Sequence, residues 1–229
     1  MRFLRRRPPP GLPDNWVEIV EQDVAHWALL DDGEREQLGE LMEAIIEDKR
    51  WEAAHGFELT DQIRTVIAAQ AALLILGLDY DWYRAVRAIV VHPTDMVQRE
   101  PQPGPIEGTM EEGPFSLLGL ADHHYGPVLI AWSAAKANAR HPAWGRDVVL
   151  HEFAHKLDML DDVVDGTPPL HHQEDGPRWH EVCTREFDLL QEGEGWPLRD
   201  YGATDPGEFF SVATETFFTL PLQLEEAKP

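Results

Sequence analysis

Apolar residues recur at helical spacing through much of the first eighty positions. Between 34 and 50 (EREQLGELMEAIIEDKR), Leu38, Leu41, Met42, Ile45 and Ile46 return every three or four residues, which predicts a helix with one buried face. Residues 60–78 (TDQIRTVIAAQAALLILGL) predict a more thoroughly buried helix, opened by a cap at Thr60 or Asp61 and stopped at Gly77. Asp14 or Asn15 is placed to cap an earlier helix, after a basic, proline-rich tail covering 1–13. The pattern then changes. VRAIVV (86–91) is β-branched and runs into Pro93, and GPVLIAWS (126–133) has the same character, so both predict strands. Residues 94–114, with several prolines and glycines, predict an irregular loop. Further helices are expected after a cap at Asp147, over 178–192 and over 205–220, with a loop rich in Asp, Gly, Pro and His at 161–177. The sum is an α+β fold in one domain spanning 14–229. A mostly helical part (14–85) precedes a small sheet with helices packed on it (86–229).

Composition narrows the function classes. With 43% hydrophobic residues and eight tryptophans, the chain has the material for a folded core. A formal net charge of −23 opposes direct binding to nucleic acid, whose phosphates the surface would repel. Cys183 is the only cysteine, so no internal disulfide is available. The basic N-terminus (MRFLRRRPPPGLP) is followed by prolines where a signal peptide needs an apolar run, and AAQAALLILGL (68–78) is too short to span a bilayer. The expectation is a cytoplasmic protein with no membrane partner.

The candidate chemistry lies in VVLHEFAHKLDMLDD (148–162). His151 and His155 are four apart, so on a helix they share a face one turn apart and can aim imidazole nitrogens at one ion. Glu152 lies about 100° round the helix, where its carboxylate can reach a water without being a ligand. Two imidazoles and a carboxylate inside an apolar helix are costly unless something partners them. A hydrogen-bonded polar patch is the plainer alternative.

A catalytic zinc takes a third protein ligand and leaves a position open. Asp161 is at the local spacing for one, but Asp158 stands where a compact site of that kind needs a glycine to turn the chain back. DPGEFFSVATETFF (205–218) offers Glu208 and Glu215, seven apart and two turns apart along one face, too far for both to touch one ion. Asp205 and Glu208, with Pro206 first in the helix, also form a capping-box pattern. Glu215 sits mid-helix among Val212, Ala213, Phe217 and Phe218, where a carboxylate needs a partner. The residues alone leave these two open. His123–His124 and His171–His172 read as surface polar pairs, Trp132 and Trp144 as core, and Tyr201, before Gly202, as a turn residue.

The chain resembles the Mlc titration factor A (MtfA) type of zinc metallopeptidases, relatives in fold of the lethal-factor metalloproteases. The likeness is carried by HEFAHKLD (151–158) and YGATDPGEFFSVATETFF (201–218), with support from GFEL (56–59), AIVVHP (88–93) and GPVLIAW (126–132). It covers the chain from about residue 34. The resemblance implies a zincin-like catalytic region, one zinc per chain on His151, His155 and Glu208, Glu152 as general base, and Tyr201 as a hydrogen-bond donor to the developing oxyanion. It leaves Glu215 and Asp158 as residues behind the ligands, Glu215 orienting a histidine. It implies cleavage of a peptide or protein substrate, aminopeptidase-like on short peptides, and suggests a transcription repressor as an alternative binding partner. The strand at 126–133 is expected to hold an extended substrate by its backbone. Relatives usually continue with helical sequence beyond the point where this chain ends.

Overall fold

The computed structural model describes residues 11–94, 102–103, 110–111 and 126–229. The tail up to residue 10, most of 94–114, and His123 and His124 lie outside the described residues. Helix α1 (Trp16–Asp23) has Asn15 at its cap position, without a side-chain cap bond. Helix α2 (Asp32–Asp48) opens with a full capping box: Asp31 accepts from the Glu34 amide and Glu34 accepts from the Asp31 amide. Helix α3 (Asp61–Leu74) is capped by Thr60, whose hydroxyl accepts from the Ile63 amide.

Strand β1 (Arg50–Ala53) follows α2 after one residue, where the sequence reading ran the helix into Arg50. Lys49 makes the break. It leaves helical geometry, and its buried ammonium donates to the Tyr83 carbonyl at 2.8 Å and to Asp48 at 2.7 Å. β2 (Ala88–His92) pairs in parallel with β1, and α3 forms the crossover between them. β3 (Gln102–Pro103) and β4 (Met110–Glu111) form a two-residue antiparallel ladder within the expected loop. β5 (Val128–Ala131) pairs in parallel with β2 on the side away from β1, giving the order β1-β2-β5, with β5 at an edge among the described residues.

α4 (Trp132–Arg140) begins directly after β5, where the sequence reading kept strand to residue 133. α5 (Val148–Asp158), α6 (Gly176–Gln191), α7 (Pro206–Thr219) and α8 (Pro221–Ala227) complete the chain. The fold is α+β, as the pattern predicts. One large apolar cluster packs α1, α2 and α3 against the sheet and one side of α5, to which Val149, Phe153, Leu157 and Leu160 contribute. A small second cluster (Leu190, Leu198, Phe209 and Val212) ties α6 to α7. Trp132 packs against the large cluster, but Trp144 is 61% exposed and stacks on His141, so it is not a core residue. Among the described residues no helix is long and apolar enough to cross a membrane.

Candidate metal centre

The site lies where α5 packs along α7. Asp147 caps α5 by accepting from the Val149 and Leu150 amides, so the helix starts at a fixed rotation. That rotation points the Phe153 stripe into the large cluster and turns His151 and His155 toward α7. Asp205 caps α7 by accepting from the Glu208 amide at 2.9 Å. Only half of the expected capping box is present. The Glu208 side chain goes to the histidines instead of back to the cap.

Glu208 Oε2 is 3.0 Å from His151 Nε2 and 3.4 Å from His155 Nε2, and the two imidazole nitrogens are 3.2 Å apart. Ligands bonded to a tetrahedral zinc at the usual lengths stand about 3.3 Å from one another, so this triangle has the size of one face of such a site. Glu208 Oε2 is buried, and it faces the two Nε2 atoms. Three atoms with lone pairs gathered out of water are what a cation would satisfy. Among the described residues these three side chains form the group able to hold a metal ion, so donor set and spacing both fit. His171 and His172 are exposed in the 161–177 loop, His171 against the Trp82 ring.

The surrounding residues fix these atoms. Glu215, 2% exposed, accepts from His151 Nδ1 at 2.8 Å through Oε1 and from the Asp147 amide at 2.7 Å through Oε2. Arg199 also donates to Glu215 Oε1. The residue that looked stranded mid-helix thus orients a histidine. Tyr201, in a short 3-10 turn (Asp200–Ala203), donates to Glu208 Oε1 at 3.0 Å while its side chain stays partly exposed. Asp158 does not reach back toward the histidines by any hydrogen bond; it accepts from the Gly166 amide at 3.1 Å and so pins the 161–177 loop to the end of α5. Gly166 has φ of +77°, and a Cβ there would come within 2.4 Å of the Pro206 carbonyl, so only glycine lets the loop lie against the start of α7. Asp161 instead accepts from the Val163 amide and is remote from the cluster.

Electrostatics follow from burial and crowding. Burial works against a charged His151, but the adjoining Glu208 and Glu215 override it and raise the ring to about 10. Glu208 is opposed by burial too, yet His151 and His155 hold it far below the usual carboxylate range. Glu152 moves the other way. Burial raises it, with His151 and His155 pulling down and Glu208 adding to the rise. Of these two carboxylates, Glu152 is therefore the one that takes a proton more readily. Burial and the nearby Glu208 keep the Tyr201 phenol protonated, as a donor must be.

Arg199 is the member of the site that sequence reasoning missed. No local pattern marks it. The available signal was indirect: Glu215, a carboxylate in an apolar helix face, had to find donors somewhere in the fold.

Two helices thus present two histidines and a glutamate at ligand spacing, a donor set that could hold a metal ion and that suits a metallopeptidase. The chain belongs to the glucose-regulated metallo-peptidase M90 family, whose model matches residues 2–229, and with it to the Mlc titration factor A type. It is 33% identical over 218 residues to an uncharacterized protein of Synechocystis, covering 93% of this chain and 79% of that one. It is 28% identical over 231 residues to Mlc titration factor A of Edwardsiella ictaluri, covering 98% of this chain and 87% of the relative. The factor of the same name from Yersinia pestis is 26% identical over 230 residues, covering 97% and 83%.

Proposed function

We propose that the chain is a zinc-dependent peptidase with one ion per chain, held by His151, His155 and Glu208. The observation that carries this reading is the buried triangle of Glu208 Oε2, His151 Nε2 and His155 Nε2, with all three atoms within 3.4 Å of one another. A zinc ion there supplies Lewis-acid polarisation and lowers the pKa of a water. The chain's own residues supply the rest. Glu152 accepts the proton from the attacking water on its carboxylate and passes it to the leaving amine. Tyr201 turns its hydroxyl from Glu208 Oε1 to the substrate's developing oxyanion, a short swing for a phenol that is still partly exposed. The outer edge of β5 can hold an extended substrate, since among the described residues that strand ends its sheet and packs beside α5. Short peptides cleaved from the amino end are the substrates the family resemblance favours, and the cytoplasm is the compartment.

A second reading, binding of a transcription repressor, is favoured by one observation, the name Mlc titration factor A carried by several relatives. A protein that only binds has no use for Glu152 beside a ligand set. The two readings separate in one experiment. Metal content and hydrolysis of free and N-terminally blocked short peptides are measured for the wild type and for Glu152→Gln. The enzyme reading expects one zinc per chain in both proteins and hydrolysis in the wild type alone, with blocked peptides resistant. Equal hydrolysis in both would remove Glu152 from the chemistry, and a metal-free wild type would remove the site.

A further inference from the structure

Glu208 and Glu215 of α7 are each gripped by a residue of one short segment before the helix. Tyr201 donates to Glu208 Oε1, and Arg199 donates to Glu215 Oε1. The Arg199 guanidinium has donors only and does not lose its proton. Glu215 Oε2 is occupied by the Asp147 amide. Both carboxylate oxygens of Glu215 are thus fixed as acceptors, and His151 Nδ1, 2.8 Å from Oε1, must be the donor in that bond. In the neutral ring the lone pair is then left on Nε2, the nitrogen that faces Glu208 and His155.

We infer that Arg199 is a positioning residue for the metal centre. Acting through Glu215, it selects the His151 tautomer that offers Nε2 to the ion and holds the ring at the angle the triangle requires. Its hydrogen bond is to Glu215 and not to a ligand atom. Its side chain is 27% exposed, so its position follows the contact with Glu215 and not enclosure in the core. This assignment rests on the zinc reading of the site. It predicts a hierarchy along the chain of contacts: losing Arg199 frees Glu215 Oε1 to rotate, and that loosens His151.

The test is zinc affinity of the full-length protein, by competition with a chromophoric chelator, for the wild type, Arg199→Gln, Arg199→Lys, Glu215→Gln and the double variant Arg199→Gln/Glu215→Gln. Melting of the metal-free proteins is followed in parallel. Loss of a residue that orients a metal-ligating histidine weakens binding by about 10- to 100-fold, and that range is expected for Arg199→Gln. Arg199→Lys should recover most of the affinity by restoring a cation and a donor. Because Arg199 acts through Glu215, the double variant should bind about as weakly as Glu215→Gln alone. A wild type that takes up no zinc overturns the metal reading and this inference with it. A wild type that binds while Arg199→Gln binds equally well overturns this inference alone. So does full additivity in the double variant, or a loss of affinity matched by unfolding of the metal-free Arg199→Gln protein.

Discussion

The two apolar clusters that meet at the site differ in mass and in what they carry. Among the described residues the larger joins thirty buried residues, drawn from α1–α5, the sheet and the turns between them, and it sets His151, Glu152 and His155 on a helix anchored along its whole length. The smaller has four, Leu190, Leu198, Phe209 and Val212, and it supports Glu208, Tyr201 and Arg199. Half of the site therefore rests on a deep core and half on a thin one. Hydrogen bonds make up the difference on the thin side: Tyr201 and Arg199 clamp the α7 glutamates, and Gly166 and Asp158 fasten the preceding loop. Disturbing the deep core should cost the whole fold, whereas disturbing the thin one should first cost the assembled site.

Truncation on the two sides tests that contrast. Phe153, fully buried and packed on Tyr83 with ring centroids 4.8 Å apart, should cost about 3–5 kcal/mol of unfolding free energy when changed to alanine. Leu190→Ala should cost about 2 kcal/mol, since a thin cluster at the surface collapses more readily around a void. Its clearer signature should be weaker zinc binding in a protein that still melts cooperatively. Equal stability losses at the two positions, read from urea unfolding of the metal-free chain, would break the comparison. The smallest effect is expected at Gly202. A Cβ there would meet Leu190 Cδ2 at 3.1 Å and Val212 Cβ at 3.2 Å, so the turn must give by a few tenths of an ångström. Gly202→Ala should change stability by about 1 kcal/mol while slowing hydrolysis through displacement of Tyr201, with zinc content unchanged. Loss of zinc there would show instead that the turn supports the ligands as much as the donor.

Legibility in the sequence divides along the same line. The capped helices on the deep side were plain: Asp147 sits directly before an apolar run, the other cap was narrowed to Thr60 or Asp61, and the His-Glu-x-x-His spacing declares its own geometry. Strand β1 was hidden because Arg50–Ala53 continues a helical composition, and a buried Lys49 bound to the Tyr83 carbonyl is a long-range event. Helix α4 was hidden because it starts directly after the last residue of a strand, with no side-chain cap to mark it. On the thin side, Asp205 and Glu208 spelled a capping box, and only the Asp205 half formed. Two imidazoles outcompeted a local amide for the glutamate, a choice that depends on α5 being alongside. Residues alone could not rank Glu208 over Glu215, since both lie on one face of α7. What separates them is their depth: Glu208 meets the Nε2 atoms, and Glu215 sits behind the ring at Nδ1. Arg199 is pure tertiary information.

The central claim is that one ion sits on a triangle built from both sides. Anomalous diffraction at the zinc edge, on crystals of the zinc-loaded protein, tests it most directly. The account predicts a single strong peak bonded to His151 Nε2, His155 Nε2 and Glu208 Oε2, with Glu215 on the far side of the His151 ring and not bonded. A peak ligated by Glu215, or zinc bound only elsewhere on the chain, would contradict it.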